Sequence, residues 1–292
     1  MILNASGCLD ALTAPDTVRE LDAFVTKTVT PLPRGGNAPV RIAETDVGML
    51  NSIGLANPGR EAFLRRTLPR LTSLGVPIWV SVGGFSAAEY AETCIAIDGL
   101  DNVAAVELNL SCPNVDEAPE SAAEIVAACR AFTPLPLYAK LSPASWDVAE
   151  VARAVEAAGA DGLSLVNTIR GLKLGADLCP VLGTQAGGLS GPALKPIALA
   201  AVHACFRATV LPIVGMGGVQ TGRDALELFA VGARAVALGT VLFSDPTAPA
   251  RIRSELAAEL AALGLSSPEQ ACGIAHEGAL PRRKHLDVGS RV

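Results

Sequence analysis

Val103-Ala-Ala-Val-Glu-Leu108, running into Asn109-Leu-Ser-Cys112-Pro113-Asn114, is the stretch that decides how this chain is read. The first six residues form a short apolar run of the kind buried inside a sheet. Pro113 ends it, because proline has no N–H for a ladder. A thiol flanked by two carboxamides therefore stands just past the C-terminal end of a core strand. In parallel α/β proteins that edge is where chemistry is done. Each asparagine offers one acceptor and two donors, which suits an amide-rich ligand. A thiol beside them can move a proton, although most free cysteines are simply small buried hydrophobes.

Outward from this stretch the same pattern repeats. Short apolar strands are expected near 2–6, 23–28, 76–82, 103–109, 135–141, 161–167, 210–216 and 235–240. Several are continuously apolar, as in strands covered on both faces. Helical segments lie between them, over Gly59–Leu74, Ala87–Ile97, Ser121–Ala131, Trp146–Ala158, Ala193–Phe206, Gly222–Val231 and Ala248–Leu263. Breakers such as Gly75-Val-Pro77, Pro134-Leu-Pro136 and Ala158-Gly-Ala-Asp161 mark the joins. Strand–helix alternation repeated eight times predicts an α/β (β/α)8 TIM barrel, one domain over 1–292. A doubly wound sheet is the alternative, but Asn4-Ala-Ser-Gly-Cys8 lacks the dinucleotide-binding glycine spacing. Two connections, Val29 to Pro58 and Ile169 to Pro192, are too long for plain loops. Long ordered loops usually serve function, so both are expected to cover the C-terminal mouth.

Composition narrows the function. The chain has 292 residues, 50% apolar, with a formal net charge of −6 and no basic block. Nucleic acid is not an expected partner, and Arg282-Arg-Lys284 reads as a solvated tail. The uncharged stretch Leu71–Ala88 is broken by Gly75, Pro77, Gly83 and Gly84, so no membrane span is expected. Met1-Ile-Leu-Asn4 carries no basic leader. The seven cysteines are odd in number and contain no C-x-x-C pair. They argue for a reducing compartment, read as the cytoplasm, and against a zinc or iron–sulfur site in this chain.

The strand ends carry the polar groups. Ser6-Gly7 follows strand one, and Lys27-Thr28 ends strand two. Lys140 closes strand five, and Asn167-Thr168 closes strand six. Gly215-Met-Gly-Gly218 and Gly239-Thr240 end the last two. Glycine turns after strands seven and eight are a recurring phosphate site in barrels, because backbone N–H groups can approach the oxygens closely. Lys27 and Lys140 then have two readings. One is a Schiff-base lysine acting on a phosphorylated substrate. The other is a fixed cation stabilising a reduced flavin or a carboxylate. Asn51, Asn109, Asn114 and Asn167 favour the second, since together they suit a flat heterocycle with several carbonyl and N–H groups.

These motifs resemble the class 1 dihydroorotate dehydrogenase family. The likeness rests on Asn109-Leu-Ser-Cys-Pro-Asn114, Asn4-Ala-Ser-Gly-Cys8, Thr26-Lys-Thr28, Gly48-Met-Leu-Asn-Ser-Ile-Gly-Leu55 and Tyr138-Ala-Lys-Leu-Ser-Pro143. It also rests on Gly187-Gly-Leu-Ser-Gly-Pro192, Gly215-Met-Gly-Gly-Val219 and Ala237-Leu-Gly-Thr240. The resemblance implies FMN in the barrel mouth, with its phosphate on Gly217, Gly218, Gly239 and Thr240. Ser6, Lys27, Thr28, Asn109, Val166 and Gly191 would line the flavin, and Lys140 would face its ring. Lys27, Asn51, Asn109, Asn114, Asn167 and Thr168 would hold the pyrimidine, dihydroorotate or its product orotate, helped by backbone from Ile53, Gly54 and Leu55. Cys112 would be the base.

Within class 1, Gly48–Leu55 and Arg34-Gly-Gly-Asn37 look closer to the NAD-linked form. That form implies a second subunit carrying FAD and an iron–sulfur cluster, while the fumarate-linked form works alone as a homodimer. Four features depart from the pattern. The chain opens almost at strand one, without the family's N-terminal hairpin. Asp116-Glu-Ala-Pro-Glu-Ser121 replaces a longer or glycine-rich continuation. Ser81 stands where the NAD-linked form has an asparagine, and Arg170–Ala186 matches neither form.

Overall fold

The computed structural model describes residues 1–110, 121–145 and 147–276. Eight strands form one parallel sheet: β1 (Ile2–Asn4), β2 (Phe24–Val25), β5 (Ile78–Val82), β6 (Val103–Asn109), β7 (Leu137–Leu141), β8 (Gly162–Leu165), β11 (Ile213–Met216) and β12 (Ala235–Leu238). Their order is β1-β12-β11-β8-β7-β6-β5-β2, and a parallel bridge from Leu3 to Ala23 joins the two ends. The ring is the expected (β/α)8 barrel.

Alternate residues of each strand face opposite ways. Val106, Leu108, Ala139, Leu141, Leu163 and Leu165 pack outward in the large cluster shared with the helices. Leu3, Val25, Trp79, Ala105, Val214, Met216 and Ala237 form a separate inner cluster. Trp79 and Tyr138 fill the barrel with ring centroids 4.3 Å apart. A Cβ on Gly162 would lie 2.3 Å from Tyr138 Cε1. Gly162→Ala is therefore expected to cost about 1–3 kcal/mol, the usual range for overpacking. A thermal melt unchanged by that substitution would show that the ring can move aside.

Local signals set the helix starts. Ser86 accepts from Glu89 N and Asp147 from Ala149 N, while Ser121 with Glu124 and Thr221 with Asp224 make capping boxes. The helix expected over Gly59–Leu74 is not uniform. It runs as α-helix over Arg60–Ala62, as π-helix over Phe63–Thr67 and as α-helix again over Leu68–Thr72. Pro69 is the cause: it cannot donate to the carbonyl four residues back, so the ladder shifts. Strand two is also shorter than expected, because beyond Val25 the chain turns Thr26 and Thr28 into side-chain hydrogen bonds.

The two long connections are not separate covers. They supply β3 (Ile42–Thr45), β4 (Gly48–Asn51), β9 (Ile169–Leu172) and β10 (Ala186–Ser190), which form one antiparallel sheet in the order β3-β4-β10-β9. Asn51 pairs with Gly188 and Met49 with Ser190. A Cβ at Gly187 would sit 2.5 Å from Asn51 O, so only glycine allows that approach. Ala43, Leu50 and Leu182 give the sheet a small core of its own. Among the described residues no helix is long and apolar enough to cross a membrane.

Candidate active site

The C-terminal strand ends and the small sheet enclose a cavity of about 240 Å³. Ser6, Lys27, Thr28, Asn109, Lys140, Val166, Asn167 and Thr168 line it from the barrel. Asn51, Ile53, Gly54, Leu55 and Gly191 line it from the long connections, and Gly217, Gly218, Gly239 and Thr240 from the last two strand ends. Every expected site residue that is described thus meets the others here. Cys112 and Asn114 lie outside the described residues.

One polar chain crosses the mouth. Ser6 Oγ donates to Thr26 O (2.8 Å) and lies 3.3 Å from Thr28 Oγ1. Thr28 Oγ1 is 3.0 Å from Ser81 Oγ and accepts from Asn109 Nδ2 at 3.2 Å. Asn109 Oδ1 accepts from Asn167 Nδ2 (3.1 Å), and Asn167 Oδ1 accepts from Thr168 N (2.9 Å). Each amide is oriented by its neighbour, so the remaining donors have fixed directions. Ser81 is wholly buried, and its hydroxyl is engaged by Thr28.

The loop at Ile53–Leu55 is pinned from two sides. Asn57 Nδ2 donates to Leu55 O at 2.7 Å, and Asn37 Nδ2 donates to Ser52 Oγ at 2.8 Å. Gly54 and Leu55 have φ of 67° and 56°. A Cβ at Gly54 would meet Asn37 Oδ1 at 2.3 Å. The Arg34-Gly-Gly-Asn37 segment therefore supports the cavity wall that its sequence neighbours alone could not place.

At the opposite end Gly217 and Gly218 hold φ of 124° and 77°, a glycine turn suited to backbone anion binding. Thr240 Oγ1 donates to Ser190 Oγ at 2.9 Å, tying the last strand end to β10. Asp224 clamps the turn from behind, accepting from Gln220 N (3.0 Å), Thr221 N (2.9 Å) and Lys195 Nζ (2.6 Å). Burial would raise this carboxyl, but the Lys195 ammonium and these donors more than offset it and hold it below the ordinary range.

Two ionisable residues in this region were not singled out from sequence. Cys8 lines the cavity, and burial pushes its thiol up, against the pull of Lys140 and Lys27. Glu107 lies under the cavity, 3.4 Å from Lys140 Nζ. A lone carboxylate in an apolar core strand is itself a signal, since Glu is almost never fully buried unpaired.

A family model described as "Dihydroorotate dehydrogenase" matches residues 1–260. The chain belongs to the dihydroorotate dehydrogenase family. Its relatives include proteins named "Dihydroorotate dehydrogenase B (NAD(+)), catalytic subunit". That of Desulforudis audaxviator is 44% identical over 264 residues, covering 88% of this chain and 86% of the relative. That of Latilactobacillus sakei is 48% identical over 251 residues, 82% of each. The Listeria monocytogenes protein is 43% identical over 277 residues, 91% of each. Among solved structures, dihydroorotate dehydrogenase from Eimeria tenella in complex with ferulenol aligns with a TM-score of 0.75. At 21% identity, over 95% of this chain and 85% of that one, it supports the fold alone. The cofactor of the dihydroorotate dehydrogenase family is FMN. The donor set fits it: a glycine turn for a phosphate at one end, and hydroxyls, amides and a buried ammonium for a polar ring at the other.

Proposed function

We propose that this chain oxidises dihydroorotate to orotate as an FMN-dependent catalytic subunit, a single domain over 1–292 acting in the cytoplasm. The observation that carries the reading is the meeting, in one cavity, of the Ser6–Thr28–Asn109–Asn167 chain, Lys27, Lys140 and the two glycine turns. FMN supplies the hydride acceptor. Gly217, Gly218, Gly239 and Thr240 would hold its phosphate. Ser6, Thr28, Val166 and Gly191 would line it, and Lys140 would place a cation at its ring. Lys27, Asn51, Asn109, Asn114, Asn167 and Thr168 would hold the pyrimidine, with backbone from Ile53 to Leu55. Cys112 would take the C5 proton.

The relatives' printed names carry NAD(+) and the words catalytic subunit, which favour NAD as final acceptor and a second subunit as partner. That partner would be the one carrying FAD and an iron–sulfur cluster. Two copies of this chain would form the core of that assembly. The test is direct. Purified protein should be yellow and should bleach anaerobically with dihydroorotate. Colourless protein trapped by borohydride with a phosphorylated carbonyl substrate would instead make Lys140 a Schiff-base residue. Yellow protein that never bleaches would leave a flavin-binding assembly subunit. Turnover with NAD plus partner, against turnover with fumarate, separates the two acceptors.

A further inference from the structure

The two glycine turns lie at the ends of neighbouring strands. β11 and β12 pair through Val214–Ala235, Gly215–Val236 and Met216–Ala237, and the ladder stops there. Beyond it one segment runs through Gly217-Gly218 to Gln220. The other runs through Gly239-Thr240 and a one-turn helix, Val241–Ser244, to Asp245. Arg251, on the helix Ala248–Ala262, bonds to both. Its Nε and one terminal nitrogen reach Asp245 Oδ2 at 2.9 and 2.8 Å, and the same terminal nitrogen donates to Gln220 O at 3.1 Å. The other terminal nitrogen donates to Glu255 Oε1 (2.7 Å), and Glu255 Oε2 accepts from Gly222 N (2.7 Å). A Cβ on Gly222 would lie 2.2 Å from Leu256 N, so glycine lets the chain come close enough for this bond.

Each contact passes on to the cavity. Gln220 lines it; Asp224 accepts from the Gln220 N–H (3.0 Å) while Arg251 holds the Gln220 carbonyl. Asp245 N donates to Val241 O (2.9 Å) and so closes the short helix that begins just after Thr240. Thr240 and Val241 line the cavity, whereas Arg251, Asp245 and Glu255 stand behind it. We propose that Arg251 is a positioning residue that fixes the two glycine turns relative to each other, and so sets how tightly the chain holds the phosphate end of its flavin. This rests on the FMN reading above. Backbone N–H groups from two segments bind one phosphate well only when both sets point at the same place. A half-exposed ion pair contributes little as a pair. Here one planar fork directs its donors to acceptors on three segments, and its rigidity fixes their directions. Arg251 therefore acts through geometry more than through charge.

The test compares two ligands that differ only at the phosphate. Full-length protein stripped of flavin is titrated with FMN and with riboflavin, and binding is read from quenching of flavin fluorescence. The wild type is expected to prefer FMN. Arg251→Gln is expected to weaken FMN by roughly tenfold, about the effect of losing one hydrogen bond to a charged group, and to leave riboflavin unchanged. Asp245→Asn separates position from charge. It removes a negative charge on the phosphate side, so a field effect alone would tighten FMN binding. Loss of the Arg251 anchor instead weakens it, again by roughly tenfold. Equal loss of both ligands in Arg251→Gln would make the residue a general support of the fold and overturns the proposal. So does Asp245→Asn protein that binds FMN as tightly as the wild type, or more tightly. If neither variant folds, Glu255→Gln decides: weaker FMN with unchanged riboflavin supports the proposal, and unchanged FMN affinity overturns it. Wild-type protein that binds FMN and riboflavin equally well would overturn the phosphate assignment itself, and that is seen before any variant is compared.

Discussion

Gly217→Asp is expected to give a folded protein without flavin. Gly217 holds φ of 124°, where a side chain is strained, and a Cβ there would lie 2.9 Å from Ala198 Cβ and 3.4 Å from Leu194. Left-handed backbone costs a non-glycine residue roughly 1–2 kcal/mol. The larger effect is charge. A carboxylate about 4 Å from a phosphate costs about 4 kcal/mol per unit charge at an effective dielectric near 20. The charge alone weakens FMN binding by roughly a thousandfold, at about 1.4 kcal/mol per tenfold, whereas the strain is present with and without FMN and lowers fold stability instead. Gly217→Ala separates the contributions, since it keeps the strain and lacks the charge. The ratio of flavin to protein absorbance reads the result, with circular dichroism to confirm folding. A normal ratio in the aspartate variant would rule out a phosphate at this turn.

Cys112→Ala is expected to retain FMN yet reduce it about 10²–10⁴-fold more slowly with dihydroorotate, the share a positioned general base contributes. The thiolate is the active form, and a free thiol titrates near 8.5, roughly. Reduction by the wild type should therefore speed up with rising pH as the thiolate fraction grows. The alanine variant should lose that dependence along with the rate. Anaerobic stopped-flow reduction at several pH values measures both. A wild-type rate in the variant would take Cys112 out of the chemistry and turn attention to Cys8, the thiol that lines the cavity.

The expected site and the observed cavity agree at the strand ends because that information is local. Asn109, Lys140, Gly217 and Thr240 each follow directly from an apolar run, and in a parallel barrel all such ends share one face. Glu107 was legible only as an oddity. Its run is nearly continuous in apolar residues, as both faces of β6 are covered, so no alternation betrays which side it takes. Its partner lies 33 residues away on the next strand. Cys8 was hidden for another reason: the loop after β1 has no periodicity, and only barrel closure brings it beside Lys27 and Lys140.

Alternating apolar runs, helix caps and glycine or proline breakers were enough to determine eight strands, their helices and the polar groups at one end, because each depends on neighbours a few residues apart. Tertiary structure alone decided that the two long connections pair into one sheet, with Asn51 and Gly188 side by side across 137 positions. It alone set an acid against the cavity's buried lysine. Strand register and the inward or outward sense of a doubly covered strand are settled by closing the ring, and no stretch of chain holds that information by itself.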